Sequence, residues 1–184
     1  QHMHPDLHLQ VIVMQLITYV FPDPKVRCYS MVQLCKCLSH ADVMGMLLVL
    51  FQSTRYERYM DNALYRFLMR RALENLCDIG WPLYWFLKDD YHFPKYSARN
   101  SVLATLLKRS VGDRFRTSLG HAEFIHNELS KVTHFVLHPD RNKRESKEAL
   151  MVQLLQHVTL PTAFDNPTNP RYRCSSLSIK ECNI

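Results

Sequence analysis

The residues of this 184-residue chain best suited to chemistry are its ten histidines and six cysteines. His134 and His138 lie four apart, so on a helix they share a face and could grip one metal ion. A zinc site needs a third ligand held close, typically on a second element. Cys35, Cys37 and His40 form another short cluster, but residues two apart diverge around a helix. Surface histidines and core cysteines account better for both sets. No glycine-rich phosphate loop runs into Lys and Ser or Thr, no catalytic-loop Asp pairs with a metal-binding Asp motif, and no nucleophile elbow occurs. No catalytic, cofactor-binding or metal-ligating residue is therefore assigned, and the chain is not expected to be an enzyme.

His138-Pro139-Asp140-Arg141-Asn142 resembles the signature loop of J-domain co-chaperones, which lies between two antiparallel helices. A J-domain also needs a short first helix just upstream with a Leu-Gly-Val-type lead-in. Leu119-Gly120 is all that residues 116–124 offer. The plainer reading is an interhelical turn in which Pro139 stops one helix and Asp140 or Asn142 caps the next. The co-chaperone reading stands as the rival, beside a free-standing helical-repeat scaffold that binds proteins. Basic residues cluster at Arg66, Arg70 and Arg71, at Lys108, Arg109, Arg114 and Arg116, and at Arg141, Lys143, Arg144 and Lys147. Aromatics do not interleave with them as base-stacking platforms, so no nucleic-acid partner is expected. Solvated helix faces are the first account of these clusters. An acidic partner or an anionic membrane surface is the second.

Such side chains need elements to hold them, and the composition says which kind. Hydrophobic residues make up 47% and charged residues 22%, which is globular rather than disordered. Only 4 glycines occur, where average usage would give about 13. Sheets and dinucleotide folds spend glycine on turns and phosphate loops, so the shortage points to an all-α fold. The six cysteines sit mostly within helical patterns and read as small hydrophobes in a reducing cytosol. No run of about 18 apolar residues marks a membrane span. Residues 9–21 lack a basic lead and a small-residue cleavage site, so they are not read as a signal peptide.

Residues 6–20 are apolar nearly all round, which predicts a buried helix. Asp23 and Pro24 suit an N-cap and a first helical position, opening a helix to about Leu38 striped by Val26, Ser30, Leu34 and Leu38. Residues 39–42 cap a helix carrying Val43, Leu47, Leu48 and Phe51. Residues 59–76 carry Leu64, Phe67, Leu68, Ala72 and Leu76 inward, and Trp85 joins them in the expected central core. Asp78-Ile79-Gly80 breaks the pattern and Pro82 opens a helix to Leu87. Further helices are predicted at 96–111, 114–136 and 145–158. From Leu160, Pro161, Pro167 and Pro170 make an irregular linker, and residues 176–184 alternate like the opening of a strand that has no partner. That orphan strand, and a start at Gln1 without Met, predict a segment of something longer. Antiparallel helix pairs of roughly 35–45 residues suggest a right-handed, armadillo- or HEAT-like stack, without a strict repeat.

Three stretches, in order and spacing, resemble the helical (PIK) accessory domain of phosphoinositide 3-kinases. They are Phe21-Pro22-Asp23-Pro24-Lys25-Val26-Arg27, the run from Arg55 through Tyr56 and Glu57 to Asn75, and Ile79-Gly80 with Trp85, Leu87, Lys88 and His92 behind it. Asn169-Pro170 and the run from Leu177 to Ile184, with its Glu181-Cys182 pair, are similar to the family's linker and first strand into the kinase domain, class I-like in detail. Departures fall at residues 50–54, at Pro82 and across 114–150.

The resemblance implies a scaffold over residues 1–160 and, over 161–184, a linker and first strand toward a kinase domain. It implies a parent enzyme that moves the ATP γ-phosphate to the 3-hydroxyl of an inositol lipid, with ATP and Mg held in that other domain. The implied partners are the parent's own kinase and lipid-binding domains and a regulatory subunit, in the cytoplasm and close to membranes when the parent is recruited there.

Overall fold

Side-chain caps written in the sequence set where three of the seven described α-helices begin. The computed structural model describes residues 5–90, 93–137, 152, 156, 158, 161 and 163–175. Helix α1 is Pro5–Leu16. The Asp23 carboxylate accepts the Lys25 N–H, and Pro24 fills the first turn of α2, Pro24–Cys37. Ser39 opens α3, His40–Ser53, through a reciprocal pair: its hydroxyl accepts the Asp42 N–H and the Asp42 carboxylate accepts the Ser39 N–H. Asn62 accepts the Tyr65 N–H and starts α4, Ala63–Glu74. That start lies later than the expected Tyr59, because Asn62 supplies the cap that Tyr59 has no side chain to make.

A single π turn, Leu76–Gly80, leads from α4 into α5, Trp81–Asp89, with a proline in its first turn. Gly80 is required there. A Cβ on it would lie 2.9 Å from the Ala72 carbonyl oxygen. Helices α6, Pro94–Ser110, and α7, Asp113–Leu137, follow. The described chain is all-α apart from a two-stranded antiparallel sheet, β1 (Phe164–Asp165) with β2 (Arg173–Cys174), pairing Phe164 with Cys174. Among the described residues no helix is long and apolar enough to cross a membrane. The predicted strand at 176–184 lies outside them, as does nearly all of the predicted helix at 145–158.

The chain divides into two units, Gln1–Val111 and Gly112–Ile184. In the first, α1 packs on α2, α2 on α4, α3 on α4 and α5, and both α4 and α5 on α6. Its core gathers Leu34 and Leu38 from α2 and its cap, Val43, Leu47, Leu50 and Phe51 from α3, Leu64 and Leu68 from α4, and Leu103 and Leu107 from α6. From α5 it takes Trp81, Tyr84 and Leu87, each no more than 2% exposed. Trp85, expected at the centre, is only half-buried. The helix points its 81, 84 and 87 positions inward and turns 85 toward the flank.

Two further expectations fail at the surface. Leu48 is exposed, one step off the buried Leu47 stripe. Helix α1 buries Val13, and Ile17 just beyond its end, but leaves Val11 and Ile12 more than half exposed. An apolar circumference predicts burial only when neighbours surround the helix, and α2 is its principal contact.

In the second unit α7 buries Leu119, Ala122, Ile125 and Val132. Phe164 of β1 is 1% exposed and packs on α7, where the Ser118 hydroxyl also meets the Asp165 carboxylate. Asn166 and Asn169 build the intervening turn, Asn166 by donating its N–H to the Tyr172 carbonyl and accepting from Thr168.

Candidate functional site

The densest polar structure of the first unit surrounds the short 3-10 turn Thr54–Tyr56 that joins α3 to α4. Three arginines from three parts of the chain hold it. Arg27 of α2 is 3% exposed. Its Nε donates to Glu57 Oε1 at 2.7 Å, its Nη1 to the Thr18 carbonyl at 2.7 Å, and its Nη2 to the Ser53 carbonyl at 3.4 Å. Arg99 of α6 donates from Nη1 to the carbonyls of Thr54 (3.3 Å) and Glu57 (3.0 Å). Arg55, on the turn itself, reaches out to Asp90 at the end of α5, Nη2 to Oδ1 at 2.7 Å.

Asp90 carries the network onward. Its Oδ2 accepts from Asn100 Nδ2 at 3.2 Å, and Asn100 Oδ1 accepts from the Tyr65 hydroxyl at 3.3 Å. Asn100 is fully buried and Tyr65 nearly so. The Arg55 guanidinium also lies over the rings of Phe93 and Tyr96, 5.3 and 5.6 Å from their centroids. Hydrogen bonding to Asp90 raises the Arg55 pKa, and burial raises that of the Tyr65 phenol. Helices α2, α4, α5 and α6 thus all send a polar side chain or terminus to the α3–α4 junction. A guanidinium spreads several donors in one rigid plane, which suits it to capture carbonyls that loops leave unpaired.

Nothing in this arrangement presents a nucleophile or a general base to solvent. Chemically it can hold helices at fixed mutual angles. The sequence candidates for other chemistry fall apart in space. Cys35 is exposed on α2, with burial of its flank raising its pKa, and Cys37 ends the same helix. His40 faces Glu74, Nε2 to Oε2 at 3.9 Å. Among the described residues no three His, Cys, Asp or Glu side chains gather as a metal site. His134 is exposed. His138, Pro139 and Asp140 lie outside the described residues, as does the basic run 141–147.

The cluster Arg66, Arg70 and Arg71 is paired rather than bare. Arg66 is bidentate to Asp61 at 2.6 Å, Arg70 holds Glu74 at 2.8 Å, and Arg71 donates to the Leu38 carbonyl at 2.7 Å. Sequence reading missed Arg27 and Arg99, because a buried arginine looks like a surface one until its partners are known. The available signal was position: Arg27 falls three residues before Ser30, on the inward stripe of α2.

A family model of the phosphoinositide 3-kinase accessory domain (PIK domain) matches residues 10–119. The chain belongs to that family. The matched span takes in every member of the arginine network, and the stretches 21–27 and 55–75 contribute Arg27, Arg55, Glu57 and Tyr65 to it. Three relatives are each 28% identical. Phosphatidylinositol 3-kinase 2 of Dictyostelium discoideum aligns over 94% of this chain and 9% of its own length, and phosphatidylinositol 3-kinase 1 of the same organism over 91% and 10%. Phosphatidylinositol 4-phosphate 3-kinase C2 domain-containing subunit alpha of Pongo abelii aligns over 100% and 11%. The chain therefore spans about a tenth of the relatives it matches. It corresponds to the accessory helical domain, not to a catalytic one, and nothing in these matches favours the co-chaperone reading.

Proposed function

We propose that this PIK domain is the stiff mount of a phosphoinositide 3-kinase, on which that enzyme's kinase and lipid-binding domains sit. The parent transfers the ATP γ-phosphate to the 3-hydroxyl of an inositol lipid, with ATP and magnesium held in its kinase domain. Residues 1–160 serve as the mount, and residues 161–184, class I-like in sequence, lead toward the kinase domain. A regulatory subunit is a further partner, and the parent works in the cytoplasm and at membranes. The helix pairs of this chain begin a right-handed, armadillo-like stack.

One observation carries the reading. The Arg27–Glu57 pair is nearly shut off from solvent, and the network around it ties successive helices to one junction. Interlocked helices of this kind move as a body and pass displacement from one neighbour to the next. The test is lipid phosphorylation by the longer protein that contains this segment. Arg27→Met should lower activity in parallel with thermal stability, leaving KM for ATP unchanged. A change in KM for ATP with stability intact would point to a direct catalytic role and overturn the proposal.

A further inference from the structure

Between α2 and α4, within the first unit, lies a groove of about 590 Å³. Its floor is apolar: Met31 and Phe67 are 2% and 4% exposed, and Val32 stands in the wall. Its rim is cationic. Lys36, Arg58, Arg66 and Arg70 line it, and all four are exposed. Five cations in the lining face two carboxylates, Glu57 and Asp61. Glu57 is taken by Arg27 and Asp61 by Arg66. Among the described residues Lys36 has no ion-pair partner, and Arg58 has only the face of the Tyr59 ring.

We propose that this groove binds an amphipathic helix whose polar edge is rich in Glu and Asp. Two helices flanking an apolar trough offer the ridges into which a third helix packs. The visiting helix sets its apolar side over Met31, Val32 and Phe67 and its carboxylates against the four rim cations. Arg66 and Arg70 are i,i+4, the spacing at which one face of an acidic helix presents successive Glu side chains. Their present partners are cheap to exchange, because ion pairs exposed as fully as Arg66–Asp61 (73% and 70%) contribute little. A membrane is the poorer occupant. The apolar surface lies at the bottom of a trough under a cationic rim, where a bilayer interface cannot reach it.

The test uses this chain and a fluorescent synthetic peptide of about five helical turns, with Leu at i, i+3, i+4 and i+7 and Glu on the flanks. A second peptide replaces every Glu by Lys, and vesicles of phosphatidylserine and phosphatidylcholine form the third arm. The acidic peptide should bind at least about tenfold more tightly than the lysine version and weaken as salt rises. Amide shifts should concentrate at Met31, Val32 and Phe67. R66E/R70E should lose at least about tenfold in affinity with its melting temperature unchanged. K36E/R58E reads the same rim independently, should the first pair disturb folding. Equal affinity for the two peptides, no binding, shifts confined to another face, or vesicle capture abolished by R66E/R70E without peptide binding would each overturn the proposal.

Discussion

Arg27 and Glu57, thirty residues apart in the chain, meet side chain to side chain with 4% and 10% of their surfaces left to solvent. The pair closes α2 onto the α3–α4 junction. The remaining Arg27 donors go to two backbone carbonyls, so the guanidinium serves three acceptors at once.

Breaking this pair from one side should be costly. Glu57→Leu leaves a buried guanidinium without its counter-charge, and Arg27→Met leaves a nearly buried carboxylate. Each should cost about 3–5 kcal/mol. The double variant Arg27→Met/Glu57→Leu should cost clearly less than the sum, because no lone charge remains. Urea denaturation of the four proteins measures both effects. Additive losses would show that the pair does not act as a unit.

Glycine positions should divide sharply. Gly80→Ala drives a methyl against the Ala72 carbonyl and should lose about 1–3 kcal/mol. Gly45 in α3 meets nothing within 4 Å, so Gly45→Ala should be neutral or gain up to about 1 kcal/mol from helix propensity. Thermal melts of the two variants decide it. A stabilising Gly80→Ala would mean the π turn relaxes freely.

The two tryptophans should be unequal. Trp81 is 1% exposed and Trp81→Ala should cost about 3–5 kcal/mol. Trp85, half-buried, should cost less. Melting curves of the single variants compare them, and equal losses would contradict the orientation of α5.

The start of α3 should respond to acid. Hydrogen bonds from the Ser39 hydroxyl and N–H lower the Asp42 pKa below the usual carboxylate value. A group depressed on folding adds stability above its unfolded pKa and loses it as pH falls through the folded pKa. Exchange of the first amides of α3 should therefore quicken below the ordinary carboxylate range, and Asp42→Asn should flatten that response. An unchanged pH profile in the variant would show that the capping carboxylate is not the titrating group.

Local chemistry was the legible part of the sequence. Asp23 with Pro24, and Ser39 with Asp42, declare helix starts because a cap involves only neighbours. Leu34, Leu64, Leu68 and Ala72 declare inward faces because period alone places them. What sequence hid is what needs distant partners. Arg27 reads as surface charge until Glu57 and the Ser53 carbonyl are found beside it. Trp81 and Trp85 are alike in type, and only packing chooses between them. The apolar circumference of α1 says nothing of how many neighbours it will meet. Phe164 reads as part of a proline-rich linker, yet α7 covers it.

Hydrogen exchange on this chain, compared with Arg27→Met, tests most directly whether the arginine network makes α2 through α6 one stiff body. The account predicts that the slowest amides of those helices open with a common free energy, which falls together in the variant. Helices that exchange independently, or a variant in which only α2 quickens, would contradict it.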